Sequence, residues 1–147
     1  MALTRRDFIK ASSAVAAAIG YGALRTPEAE GVEGGPAVVW LQAQACTGCS
    51  VSLLNTVSIM GVDDLLLRTL DVKYHPNLMA SAGDRASAAA KAARSKGGYV
   101  LVVEGAIPTI ASCCWVWNGT TALQAVLDFA PNALVCMAVG TCASFGG

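Results

Sequence analysis

The sequence predicts an α/β fold in which a parallel β-sheet is covered by helices on both faces. Two observations carry that expectation. Short apolar, β-branched runs recur along the chain and alternate with stretches of helical composition, and glycine or proline punctuates the joints. Strand-helix alternation is the mark of a parallel sheet, and strands that are apolar without a polar alternate are those buried on both faces.

The elements follow in order. Residues 37–41, Ala-Val-Val-Trp-Leu, are the first strand. The Cys46-Thr47-Gly48-Cys49 loop comes next, with Ser50 or Ser52 as N-cap of a helix holding Leu53, Leu54 and Val57. Gly61 breaks that helix, and residues 62–68 make a further helical turn. Residues 70–74 are a weaker strand ending at His75-Pro76. The alanine-rich stretch 82–96 is a helix stopped by Gly97-Gly98. Residues 99–103, Tyr-Val-Leu-Val-Val, are the clearest strand; 120–129 read as helix, Pro131-Asn132 as a turn, and 133–139 as a last strand before Gly140. There is no internal repeat or low-complexity tract.

Composition narrows the function. A chain of 147 residues holds one domain with a buried core. Apolar residues make up 54% and charged residues only 14%, well below the usual quarter, so much of the surface is expected to be covered by something else. Ten basic and ten acidic residues cancel. No electrostatic footprint for nucleic acid results. The six cysteines are not spaced as a small disulfide scaffold: Cys46 and Cys49 pair, Cys113 and Cys114 are adjacent, and Cys136 and Cys142 stand apart. Metal binding by a subset is the better reading.

The first residues have the layout of an export signal. Thr4-Arg5-Arg6-Asp7-Phe8-Ile9-Lys10 is a basic head, and residues 11–24 form a mildly apolar segment. Arg5-Arg6 followed by Phe8 and Lys10 resembles the twin-arginine signal, a route that carries proteins already folded around a cofactor. At about fourteen residues the apolar segment is shorter than the ~20 that span a bilayer. The expected boundary falls within 23–35, giving a signal and linker over 1–34 and a domain over 35–147.

In a parallel sheet the loops after the strands share one edge, where such folds place their sites. Applied here, the rule brings together Cys46 and Cys49 after the first strand, His75 after the second, Glu104-Gly105 after the third, and Gly140-Thr141-Cys142 after the fourth. A two-residue spacer lets both thiolates of Cys46 and Cys49 turn towards one metal or cluster. Cys142 adds a third, where cubane clusters normally take four. Gly48 suits a tight loop with close backbone approach, and a helix starting near Ser50 would aim its free N–H groups at the sulfurs. A dithiol redox site and a zinc site remain the alternatives for the pair. Cys136 reads as a buried small hydrophobe, and His75 as a loop histidine with a structural or interface role. Cys113 and Cys114 have no assigned role.

Three runs carry a resemblance: Cys-Thr-Gly-Cys-Ser-Val-Ser-Leu-Leu-Asn (46–55), Val-Glu-Gly-Ala-Ile-Pro (103–108) and Val-Gly-Thr-Cys-Ala-Ser-Phe-Gly-Gly (139–147). With the twin-arginine leader, in this order and spacing, they resemble the small subunit of nickel-iron hydrogenases almost from end to end. The resemblance implies a flavodoxin-like domain holding the proximal 4Fe-4S cluster, with Cys46, Cys49 and Cys142 among its ligands. Glu104, Gly48 and Thr141 would lie near the cluster or the large-subunit interface. It further implies electron transfer to or from the nickel-iron site of a large-subunit partner in dihydrogen oxidation or proton reduction. A cytochrome or a membrane subunit would be the acceptor, and the location would be periplasmic, with any membrane association through partners.

The fourth proximal cysteine, and the C-terminal domain with further clusters, are expected beyond Gly147. Ala45 stands where many members carry Glu, and the approach Gln42-Ala43-Gln44-Ala45 is closer to the selenium-containing branch. Gly48 stands where the oxygen-tolerant branch has an extra cysteine, so an oxygen-tolerant enzyme is not expected. A cluster subunit of a quinone oxidoreductase, which shares the fold, and an exported dithiol oxidoreductase are the rival functions.

Overall fold

The computed structural model describes residues 35–146; Arg5 and Arg6 of the expected export signal lie outside them. Four parallel strands form the main sheet: β1 (Ala37–Gln42), β2 (Asp71–Tyr74), β3 (Tyr99–Glu104) and β6 (Ala133–Val139), in the order β2-β1-β3-β6. The helices are α1 (Gly48–Leu54), α2 (Gly83–Lys96), α3 (Ala122–Phe129) and α4 (Gly140–Phe145). From β1 the chain goes to β2 on one side and then crosses to β3 on the other. The ends of β1 and β3 therefore flank the point where strand order reverses, the usual place for a site in an open α/β sheet.

The alternation of side chains along β1 divides the core in two. Val39 and Leu41 face the larger cluster, where Leu101 and Val103 of β3 pack against Ala86 and Ala90 of α2 and Ala125 and Phe129 of α3. Val38 and Trp40 face the other side with Val102, where Leu53 of α1 and Leu70 pack against them. The small alanines of α2 and α3 let both helices lie close to the sheet. Tyr99, 1% exposed, donates its hydroxyl to the carbonyl of Phe129 at the end of α3. Tyr99→Phe is expected to lower unfolding free energy by about 1–2 kcal/mol in urea, because that buried carbonyl loses its partner.

Local departures from the sequence expectations have physical reasons. The turn over 62–68 is a short α-helical stretch, Val62–Asp64, running into a π-helix, Leu65–Thr69. Its last hydrogen bond takes the amide of Leu70, so β2 starts one residue late. The helix expected from Thr120 starts at Ala122, since Thr121 is its N-cap and accepts from the amide of Gln124 at 3.2 Å. Before it lies an antiparallel ribbon that the alternation gave no hint of, β4 (Trp115–Trp117) with β5 (Thr120–Thr121). Trp117 anchors it, donating to the hydroxyl of Tyr74 at 3.0 Å.

Cys136 is corrected from buried to exposed. It sits on β6, which pairs only with β3 among the described residues. Leu134 and Met137 of that strand are 76% and 49% exposed, and with Phe145 at 87% and Trp115 at 57% they place part of the apolar composition on the surface. The greasy residues are not all in a core.

Candidate functional site

The open edge beyond β1 and β3 is built first by backbone. Past Gln42 the chain bonds to the segment after β3: the Ala43 amide donates to the Glu104 carbonyl at 2.8 Å, and Gln44 and Ala106 exchange amide-carbonyl bonds at 3.1 Å each. Gly105, at φ +91°, makes this approach possible; a Cβ there would stand 2.6 Å from the Gln44 carbonyl. The cysteine loop is thereby pinned to the Val-Glu-Gly segment.

Cys46 is exposed, Cys49 half-buried and Cys142 exposed, and all three are free thiols. Cys142 lies in α4, whose first residue Gly140 comes from β6 with φ +82°. A Cβ on Gly140 would stand 2.3 Å from the Cys49 sulfur. The sulfur of one loop is thus seated against the bare backbone of another, 91 residues away in sequence. Burial pushes the Cys49 thiol up, and the charges of Glu104, Cys46 and Cys142 push it further. Thiolates gathered beside a carboxylate repel one another unless a cation lies among them. Among the described residues no three His, Cys, Asp or Glu side chains close on a single metal ion. Three free thiols, with the Cys49 and Cys46 sulfurs seated beside the bare backbone of Gly140 and Gly48, are the soft donor set that fits a thiolate-held iron-sulfur cluster.

Thr47, not Gly48, is the left-handed residue of the loop, at φ +66°. That conformation is uncommon for a β-branched residue and concentrates at functional sites. Gly48 begins α1, where a Cβ would lie 3.1 Å from the Cys46 sulfur, so its role is space beside that sulfur. Thr141 is exposed on α4. The expected serine N-cap of α1 is also corrected. Thr47 occupies that position without a side-chain cap, and Ser50 lies inside the helix, 1% exposed.

The amides expected to face the sulfurs are engaged elsewhere. Cys49 and Ser50 donate their N–H groups to Glu104 Oε1 at 3.1 and 3.4 Å. Glu104 Oε2 accepts from Trp40 Nε1 at 2.9 Å, from Gln42 Nε2 at 3.0 Å and from the Ser50 hydroxyl. Glu104 is 1% exposed. Burial alone would raise its carboxyl, but hydrogen bonds from Ser50, Gln42 and Trp40 outweigh that and hold it below the ordinary value. His75, in the loop directly after β2 as expected, is buried at 1% exposure and completes the group. Its Nε2 lies 3.2 Å from the Ser50 hydroxyl, and its Nδ1 accepts from the Asn77 amide at 3.1 Å. Sequence reasoning placed Glu104 at this edge but missed Trp40, Gln42 and Ser50. Their apolar run and serine-rich helix start carried no signal beyond their position next to the cysteine loop.

A fold with thiols at the reversal point of a parallel sheet defines a class, and comparison with known proteins gives that class a family. The sequence profile of the family described as "NADH ubiquinone oxidoreductase, 20 Kd subunit" matches residues 46–147, and the chain belongs to it. Its curated relatives are more specific. The periplasmic [NiFeSe] hydrogenase small subunit of Desulfomicrobium baculatum is 38% identical over 100% of this chain and 52% of its own length. The periplasmic [NiFe] hydrogenase small subunit 1 of Nitratidesulfovibrio vulgaris is 41% identical over 99% of this chain and 47% of its own. The quinone-reactive Ni/Fe-hydrogenase small chain of Wolinella succinogenes is 38% identical over 99% and 43%. The chain thus spans about half the length of the curated relatives it matches.

Among solved structures, the H2-activated [NiFeSe]-hydrogenase of Dm. baculatum superposes with a TM-score of 0.72 at 40% identity, over 77% of this chain and 45% of that one. The predicted resemblance to hydrogenase small subunits and the predicted parallel α/β fold are both borne out.

Proposed function

We propose that this chain is the proximal-cluster part of the electron-transfer small subunit of an exported, periplasmic hydrogenase. On this reading Cys46, Cys49 and Cys142 supply three of the four thiolates that a 4Fe-4S cubane normally takes. The catalytic nickel-iron site belongs to a large-subunit partner, and electrons leave towards a cytochrome or a membrane subunit. Such a cluster, when bound, supplies one-electron transfer. The chain's own residues do the rest. Gly140 leaves room for the Cys49 sulfur, the Gln44-Ala106 bridge holds the Cys46 loop in place, and Glu104 fixes the amides of Cys49 and Ser50. The exposed apolar residues on β6, α4 and around Trp115 suit covering by protein, as large permanent interfaces are core-like.

The single observation that carries the reading is the convergence of the three thiols at the end of β1 and β6, in a chain whose relatives are named hydrogenase small subunits. A dithiol oxidoreductase using Cys46 and Cys49 alone leaves the placement of Cys142 without a role. The test is iron and sulfide content, with electron paramagnetic resonance of the dithionite-reduced protein, in Cys46→Ser, Cys49→Ser and Cys142→Ser variants purified with their partner. Each is expected to lose most of the proximal-cluster signal. Full cluster content in Cys142→Ser would sink the assignment of that residue, and full content in all three would sink the site.

A further inference from the structure

The hydrogen bonds around Glu104 have a fixed polarity. All five contacts to its carboxylate come from donors: two amides, an indole N–H, a carboxamide N–H and a hydroxyl. The four N–H groups can only donate, and the lone pairs of the Ser50 hydroxyl are taken by Gln42 Nε2 and His75 Nε2, so no acceptor is left for a carboxyl proton and the group is an anion in the folded protein. It is also shut away from water, beside the loop that carries Cys49.

The same logic continues outward. The Asn77 amide points its hydrogen at His75 Nδ1, which leaves that nitrogen bare and puts the ring proton on Nε2. Nε2 then donates to the Ser50 hydroxyl. Gln42 Nε2 donates to that same oxygen at 3.1 Å, which fills its second lone pair. The Ser50 proton has one direction left, towards Glu104. The Trp40 ring lies tilted by 37° against the imidazole, centroids 5.1 Å apart, while its N–H reaches the carboxylate. His75 is 29 residues from Glu104 in sequence, yet it orients the hydroxyl that orients the carboxylate.

We propose that His75 is a positioning residue for electron transfer: through the Ser50 hydroxyl it locks Glu104 as a buried anion that holds the Cys49 and Ser50 amides away from the cluster sulfurs. This rests on the cluster site proposed above. Cluster potential is set by net local charge and by hydrogen bonds to the sulfurs, among other factors. A fixed negative charge disfavours the reduced, more negative cluster, and amides kept on a carboxylate are not spent on sulfur. Both effects lower the potential. Burial favours the neutral ring on which this chain of bonds depends.

The experiment is a potentiometric titration of the proximal-cluster resonance in the purified heterodimer. His75→Leu and Ser50→Ala are each expected to move the midpoint to more positive potential. The expected size is about tenfold in the reduced-to-oxidised ratio at fixed potential, 59 mV for one electron. His75→Gln, which can still donate to Ser50, is expected to restore most of the wild-type midpoint. The His75→Leu/Ser50→Ala pair should shift no further than Ser50→Ala alone, because the two residues act in series.

Wild-type midpoints in both single variants, with the cluster present, would overturn the role of His75 and leave the cluster site standing. A shift that His75→Gln fails to restore would also overturn it, by showing that the site responds to repacking and not to the donor. Absence of any cluster in the wild-type protein would overturn the cluster site, and this inference with it.

Discussion

Glu104→Ala is expected to lower the unfolding free energy by about 3–5 kcal/mol, the cost of breaking a buried charged network by removing one partner. The size follows from what is left behind. Trp40 Nε1, Gln42 Nε2, the Ser50 hydroxyl and the amides of Cys49 and Ser50 all point at the vacated space. A buried donor without an acceptor costs about 1–3 kcal/mol. Relaxation and entering water keep the total below the sum. Urea unfolding checks it, and a loss under about 1 kcal/mol would contradict the network as described, since that is the scale of one ordinary hydrogen bond.

Glu104→Gln separates charge from shape through pH. The folded carboxyl lies below its ordinary 4.5, so the stability it contributes is present above that value and is lost as pH falls through the lower folded one. His75 is depressed from 6.5 by burial, with the Glu104 charge opposing. The unfolded ring takes up a proton near 6.5 while the folded ring resists, so this limb also loses stability as pH falls, starting earlier. Wild type should therefore weaken in two stages below about pH 6.5. Glu104→Gln should keep the first stage and lose the second. Equal slopes below pH 4.5 in both proteins would be the contrary result.

The readable part of this protein was whatever local chemistry decides. Tyr99–Glu104 and Ala133–Val139 are apolar runs that make good strands wherever they sit, and Gly97 after an alanine-rich stretch stops α2 in any context. The shared edge follows from strand direction alone, which is enough to bring the loops of Cys46, Cys49, Glu104 and Cys142 together. The hidden part depended on partners distant in sequence. Ser50 looks like a helix cap because serine usually is one; only the carboxylate arriving from β3, 54 residues on, makes it an interior hydroxyl. His75 reads correctly as a loop residue, but its burial is not legible, because its partners Trp40 and Ser50 come from β1 and α1. Cys136 misled in the other direction. An apolar strand implies cover, and the sequence of the strand does not say whether the cover is within the described residues.

Gly140→Ala is expected to have the second large effect, and to direct it at the thiol site more than at the fold. Two separate costs meet at this residue. Its φ of +82° is unfavourable for any side chain, at about 1–2 kcal/mol. The added Cβ would also lie 2.3 Å from the Cys49 sulfur, so one of the two must move. The sulfur is on an exposed-edge side chain, whereas Gly140 is tied to β6 behind it. The sulfur therefore yields, and it leaves the position that it shares with Cys46 and Cys142.

Gly146→Ala supplies the control. That glycine has φ +87° and, among the described residues, nothing within 4 Å of its would-be Cβ, so the variant pays for conformation without meeting the thiol. Both variants should lose stability in urea, Gly140→Ala at least as much as Gly146→Ala. Only Gly140→Ala should lose bound iron and the reduced-cluster resonance, by several fold. Equal iron in the two would mean that the contact between Gly140 and Cys49 has no part in holding the cluster, and the three-thiol site would have to be drawn without it.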